Sequence, residues 1–470
     1  MDSQLIYAQA SVHSLGGVSM FEAPTIFSDT VDGFHSDKKM TQKAVKKLKA
    51  AGFQVLQVSD TTISIAGTRD VYEKSCNTSL LSVERAQMNT QTGIEMVTQY
   101  DCADTGIVGL VPTHNGELAD VLEGIALAEK PIYFASAYAP TKSYWHLRVP
   151  GDISLGMNAD AAHRKLNMTG RGIRAVMVDS GWYEHPYFVK RGYKYNPVVL
   201  APGAINPTRD ESGHGTAESA NLFAVAPDVE FRMVKTGNDS VAAFNTAVAL
   251  VPRPHVISCS WGFDIQTGPL TAYQMTLASA VANAVSLGII VVFSAGNGHF
   301  GFPGQHPDVI SAGGVFMSPN GSLQASNYAS GFMSTIYPNR RVPDVSGLVG
   351  MLPKAAYIML PVEDGDSIDA SLGVVGAHPN SDETAPNDGW AAISGTSAAA
   401  PQVAGICALM KQKRAALTPA QAKAILMSTA TDVTTGTCSP RPGMGSAAVV
   451  GADLATGNGL ADAYKAVFAA

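Results

Sequence analysis

Ile173-Arg174-Ala175-Val176-Met177-Val178-Asp179-Ser180-Gly181 is a short, mostly apolar and β-branched run that ends in an acid and a turn. A run of this length without alternation reads as a strand buried on both faces, as strands of parallel sheets are. Three more runs of the same kind follow at Val229–Val234, His255–Ser260 and Ile289–Ser294. Stretches with helical period lie between them, at Ala242–Val251 and Ala272–Leu287. Strands alternating with helices predict an α/β fold with a doubly wound parallel sheet over residues 152–470. Functional groups in such sheets gather at the carboxyl ends of the strands, where Asp179 stands.

Four motifs carry candidate chemistry. Asp179 closes the first strand, although many strands end in Asp for turn or capping reasons. Ser212-Gly213-His214-Gly215-Thr216-Ala217 places a histidine between glycines at a helix start, where it can approach another element closely and act as a general base, or simply pack there. His185, in Glu184-His185-Pro186, lies in a loop with no small-residue helix after it and is read as structural. Phe293-Ser294-Ala295-Gly296-Asn297-Gly298 offers an Asn amide to a developing oxyanion, or an ordinary Asn-Gly turn. Ile393-Ser394-Gly395-Thr396-Ser397-Ala398-Ala399-Ala400-Pro401 sets Ser397 at the start of a helix, with side-chain bulk removed around its hydroxyl and free N–H groups nearby. Pro401 is expected inside the first turn of that helix.

These motifs resemble those of the subtilase (subtilisin-like) superfamily and occur in its order: Asp, His, Asn, Ser. The likeness covers roughly Met157 to Ala470 and includes Thr169-Gly170-Arg171-Gly172-Ile173, Val225-Ala226-Pro227-Asp228, Arg341-Val342-Pro343-Asp344-Val345 and the stretch from Gly457 to Ala463. Ile257-Ser258-Cys259-Ser260-Trp261-Gly262 is similar to the strand lining the substrate cleft, so the resemblance implies substrate-binding roles for Ser260, Trp261 and Gly262. The Trp261 ring either restricts a subsite or packs against the sheet. The resemblance further implies a serine endopeptidase with an Asp179–His214–Ser397 triad and Asn297 in the oxyanion hole. Sedolisins carry Glu and Asp where His214 and Asn297 stand, which favours neutral-pH subtilisin chemistry. A dedicated maturation protease or transpeptidase shares the same acyl-enzyme, and a silent binding protein shares the same fold.

No cofactor is required by this chemistry. The short span from His214 to Pro227 leaves no space for the calcium loop of secreted subtilisins. Glu363-Asp364-Gly365-Asp366 with Asp369 is either a calcium site or, as expected here, a solvated acidic loop.

Residues 1–130 read as a small α+β module: a helix from Thr41 to Ala51 ended by Gly52, strands at Phe53–Val58 and Thr62–Ala66, a helix from Arg69 to Cys76 and a strand near Leu80–Val83. That order is most of a ferredoxin-like split β-α-β unit. It resembles subtilase and sedolisin propeptides, which implies an intramolecular inhibitor; the alternative is an accessory domain that never leaves. Residues 131–151, with Pro131, Pro140 and Pro150 among aromatic residues, read as a linker.

The net charge of -7 and pI near 5.9 argue against a nucleic-acid partner, and the basic run from Lys38 to Lys49 reads as a solvated helix face. The five cysteines form no CxxC pair, so buried free thiols are expected. No apolar run reaches the ~18 residues of a membrane span. With no leader pattern in Met1–Met20, the expected location is cytoplasmic. The expected partners are a protein or peptide substrate and the chain's own N-terminal part.

Overall fold

The computed structural model describes residues 4–23, 25–89, 93–133, 147–352, 357–372 and 384–470. The N-terminal module contains β1 (Ile6–Val12), α1 (Lys38–Ala50), β2 (Gln54–Val58), β3 (Ile63–Gly67) and α2 (Arg69–Cys76). It continues through β4 (Leu80–Asn89), β5 (Gly93–Cys102), β6 (Leu110–Pro112) and β7 (Leu122–Leu127). The sheet order is β2-β3-β1-β7-β6, every neighbouring pair antiparallel. Strand alternation gives this sheet two different faces. Ala8, Ala10, Ile63 and Ile65 share one core with Ala44 and Leu48 of α1 and Tyr72 and Cys76 of α2. Gln9 and Ser64 alternate to the other side and are buried as well.

Sequence reading finds both helices and the β2–β3 hairpin within a few residues. It misses β1, whose Ala8 and Ala10 carry little strand preference. It also shortens β4, which is not a lone strand near Leu80–Val83 but half of a long two-stranded hairpin with β5.

In the second part, strands order themselves as Val199–Leu200, Glu230–Lys235, Arg174–Asp179, Val256–Cys259, Ile290–Ser294 and Ile310–Met317, all parallel. Val345–Val349 extends the parallel set beside Ile310–Met317, and Leu323–Ala325 adds an antiparallel edge. Each strand expected from an apolar run is present to within about a residue. The helices Ser240–Val248 and Ala272–Ser286 fall where helical period predicts them. Layers on the two faces form two separate cores, one around the helices His214–Val225 and Thr396–Lys413, the other around Ser240–Val248 and Ala272–Ser286.

The polar face of the N-terminal sheet docks on that second layer. Asp239, which caps the helix Ser240–Val248 by accepting from Ala242 N at 3.0 Å, also accepts from Gln9 Nε2 at 2.6 Å, Ser64 Oγ at 3.0 Å and Tyr273 Oη at 2.9 Å. Glu129 accepts from Gln274 Nε2 at 3.0 Å nearby. β8 (Ile132–Tyr133) then pairs antiparallel with Trp261–Gly262, so the start of the expected linker is strand. Residues 134–146 of that linker, with Phe134, Tyr138, Pro140, Tyr144 and Trp145, lie outside the described residues, and its end is strand again, Leu147–Arg148 pairing in parallel with Ile358–Met359. All five cysteines are free and buried, as expected.

Asp239 is therefore both a helix cap and the polar centre of the contact between the two parts. Asp239→Ala is expected to destabilise the intact chain by about 3 kcal/mol, from the lost cap and the buried donors left without an acceptor. Thermal denaturation of the variant against the wild type checks this.

Candidate active site

Asp179 ends its strand with its side chain fully buried, and its Oδ1 lies 2.7 Å from His214 Nδ1. The approach depends on the flanking glycines. A Cβ at Gly215 would stand 2.2 Å from the Gly181 carbonyl and 3.1 Å from Asp179 Cβ, so any side chain there would push the helix off the acid. Gly213 caps the helix with φ of +84°, and a Cβ there would strike the Asp366 carboxylate at 2.0 Å.

Burial alone would lower the His214 pKa, but the charge of Asp179 and its hydrogen bond outweigh it and hold the imidazole up at about 9. His214 Nε2 is buried and has no hydrogen-bond partner among the described residues. A ring nitrogen left open while Asp179 fixes the other is the position through which a histidine exchanges a proton in general acid–base chemistry.

Ser397 is the second residue of the helix Thr396–Lys413, where backbone N–H groups have no intrahelical acceptor. Pro401 is the sixth residue, not part of the first turn. Lacking an N–H, it leaves the Ser397 carbonyl, four residues back, without its helical donor. Ser260 Oγ replaces that donor at 2.8 Å, while the Ser260 carbonyl accepts from Ser397 Oγ at 3.1 Å. The two serines are thus tied reciprocally across the cleft strand. Asn297 Oδ1 accepts from Thr396 N at 2.9 Å and Thr396 Oγ1 at 3.1 Å, which fixes the carboxamide with Nδ2 as its opposite, donating end.

Of the three expected cleft residues, Ser260 holds Ser397 and Gly262 pairs with Ile132. The Trp261 ring does not enter a subsite. It is fully buried, packs edge-on against Phe293 at 5.4 Å and donates from Nε1 to the Val178 carbonyl at 2.7 Å. His185 is structural, accepting from Tyr187 N as the cap of the helix Pro186–Arg191.

The acidic loop is solvated only in part, at Asp364 and Gly365. Glu363, Asp366 and Asp369 are buried, and their carboxylates accept from the backbone N–H groups of Asp210, Glu363, Asp369, Gly365 and Gly389. Among the described residues no group of three or more His, Cys, Asp or Glu is placed to hold a metal ion.

Sequence reading misses four residues that the fold brings here. Glu218, one helical turn after His214, is buried; burial raises its carboxyl to about 8 against the pull of His214. It accepts from Asn221 Nδ2 at 3.0 Å, and Asn221 Oδ1 accepts from Gln402 Nε2 at 3.0 Å, linking the two helices. The i,i+4 spacing from His214 is the signal that would have found it. His299 Nδ1 accepts from Asn297 N, and its Nε2 donates to the Met88 carbonyl at 3.2 Å, so the tip half of the β4–β5 hairpin reaches this site. Tyr133 stands with its ring centroid 5.1 Å from that of His214, and its hydroxyl lies 2.6 Å from Thr236 Oγ1. No local signal marks Tyr133 or Thr236.

Compared with known proteins, residues 104–445 match the family described as Subtilase family, Peptidase_S8. The chain belongs to the subtilase family. It is 27% identical over 303 residues to Subtilisin Savinase of Lederbergia lenta, covering 61% of this chain and 92% of that protein. It is also 27% identical over 301 residues to M-protease of Shouchella clausii, covering 60% of this chain but only 65% of that protein's length. In fold it is similar to fervidolysin from Fervidobacterium pennivorans, a keratinolytic enzyme related to subtilisin, with a TM-score of 0.59 and 17% identity over 100% of this chain and 62% of that one. These relatives overturn the cytoplasmic location expected above: subtilisins of this group are extracellular, and an expectation drawn from where a chain begins carries no weight against them. No helix among the described residues is long and apolar enough to cross a membrane.

The raised His214 pKa makes a signed prediction. The folded imidazole holds its proton more tightly than an unfolded one of pKa ~6.5, so its stabilising contribution is complete below about pH 6.5. That contribution disappears as pH rises through about 9. NMR titration of the imidazole in the intact chain is expected to show the high value. Asp179→Asn is expected to lower it markedly, since the strongest pull against burial is removed and only those of Glu218 and Asp210 remain.

Proposed function

We propose that this subtilase is a serine endopeptidase that cleaves proteins or peptides through Ser397, His214 and Asp179, and that its N-terminal module holds it latent. The observation that carries the reading is the buried Asp179–His214 pair, whose Nε2 lacks a partner, with Tyr133 bridging from His214 to the Trp261 edge, next to Ser260 and the helix-start Ser397 it holds. In the reaction the Ser397 hydroxyl turns from the Ser260 carbonyl to His214, gives its proton to Nε2 and attacks the scissile carbonyl. The oxyanion that forms accepts from Asn297 Nδ2 and the Ser397 N–H. His214 then returns its proton to the leaving amine, and water entering by the same base frees the acyl group. Asp179 keeps Nδ1 protonated and offsets the charge on the ring throughout.

Latency is supported by what lies in the cleft. Ile132–Tyr133 occupies the edge of Trp261–Gly262 that an extended substrate would pair with. Gln87, Met88, Glu95 and Val97 of the β4–β5 hairpin line the same hollow as Tyr133, Ser212 and His214. A hairpin of the N-terminal module and the strand that directly follows the module therefore meet at one site.

A fluorophosphonate probe is expected to label the wild type after the N-terminal module is released, and not Ser397→Ala. Absence of labelling in the activated wild type would sink the reading. Asn297→Ala is expected to lower kcat by about 10² to 10³ with little change in KM. Intact mass followed over hours is expected to show loss of the N-terminal module from the wild type and its retention in Ser397→Ala.

A further inference from the structure

Tyr133 is held by three independent contacts, and together they describe a pocket. Its backbone is in antiparallel register with Trp261, one residue after the pairing of Ile132 with Gly262. Its ring rests on the imidazole of His214, at 5.1 Å between centroids and 57° between planes. Its phenol oxygen is 2.6 Å from Thr236 Oγ1.

The partner hydroxyl is rigidly placed. Thr236 follows the strand Glu230–Lys235, and its N–H donates to the Asp179 carbonyl at 2.8 Å. The next residue, Gly237, is packed so closely that a Cβ there would lie 2.3 Å from the Pro202 carbonyl. The strand edge is rigid as well, because the Trp261 ring is buried and bonded to Val178 O.

An extended peptide that replaces Ile132–Tyr133 in the same antiparallel register must present one side chain to this spot. Its ring meets His214 at a tilt and its far end meets the Thr236 hydroxyl. A phenylalanine would fill the space but leave that hydroxyl without its partner, and an aliphatic residue would not reach it. We propose that the Tyr133 pocket is a substrate subsite selective for tyrosine, with Thr236 as the residue that determines the selectivity. This rests on the peptidase reading above and goes beyond it by naming the side chain that is preferred beside His214.

The test uses the full chain after release of its own N-terminal module, with paired peptides that differ only by Tyr, Phe or Leu at the position opposite Trp261. One hydrogen bond of ordinary strength predicts kcat/KM for the Tyr peptide several-fold to about tenfold above that for Phe, with Leu lower still. Thr236→Val is expected to bring the Tyr-to-Phe ratio to within about twofold of one, and Thr236→Ser to keep the preference. A general loss of fold would lower both peptides together and leave the ratio as it was.

Binding separates the two readings. In a Ser397→Ala chain freed of its N-terminal module by an added protease, so that both the pocket and the Trp261–Gly262 edge are open, acetyl-Lys-Pro-Ile-Tyr-amide is expected to bind several-fold more tightly than its Phe counterpart by calorimetry. Tyr-selective binding without hydrolysis by the Ser397 enzyme would sink the peptidase reading and leave the pocket standing. Equal handling of Tyr and Phe in both experiments, or a Tyr preference that survives Thr236→Val, would overturn the subsite.

Discussion

A carboxylate and an imidazole meet at 2.7 Å in a place that water does not reach, and most of the architecture follows from keeping them there. Burying such a pair is costly unless the geometry is good and neighbouring groups satisfy what remains of each partner's bonding capacity. Asp179 meets that condition by ending a central strand of a parallel sheet. His214 meets it by starting a helix whose glycine neighbours let two backbones come within contact distance. Removing either partner would strand a buried charge, a loss of about 3–5 kcal/mol.

The same demand for close approach shapes the helix that carries Ser397. Its alanines let it press onto the sheet: a Cβ on Gly347 would sit 2.8 Å from Ala399 Cα, and one on Gly405 would sit 2.8 Å from Val225 Cβ. Pro401 breaks one backbone bond of this helix, and Ser260 restores it from the cleft strand. Ser397 is thereby registered against the strand with which β8 pairs. Buried polar links from Glu218 through Asn221 to Gln402, and on to both backbone groups of Leu348, lock the helix pair together. A hydrogen-bonded network of this kind specifies one relative placement, since any shift would leave buried polar groups unpaired.

The N-terminal module exploits the two-faced nature of a sheet. One face is covered by its own two helices, while the other carries Gln9 and Ser64 and closes on Asp239. Docked there, the module delivers β8 to the cleft edge and the β4–β5 hairpin to His299. β8 meets this edge through its backbone, the Tyr133 ring and the Tyr133 hydroxyl. The interface is anchored by polar bonds outside the cleft, so occupancy of the cleft does not depend on the strand alone.

Much of this was legible in the chain itself. Apolar β-branched runs alternating with helical period dictate the parallel sheet, because strands covered on both faces admit few polar residues. The motifs around Asp179, His214, Asn297 and Ser397 are local: each couples a functional side chain to the small residues that its own backbone geometry requires. The pocket was not legible, since Tyr133 and Thr236 are 103 positions apart and neither has a local pattern. The role of Trp261 stayed open for the same reason, as its ring could be assigned to the sheet only once Val178 and Phe293 were seen around it. The hairpin reach to His299 and the burial of Glu363, Asp366 and Asp369 in the acidic loop likewise depend on how separate segments pack. Local sequence determines which strands and helices form and which groups they can offer. Contacts between distant segments, paid for in chain entropy and repaid only by the complete fold, decide which groups meet.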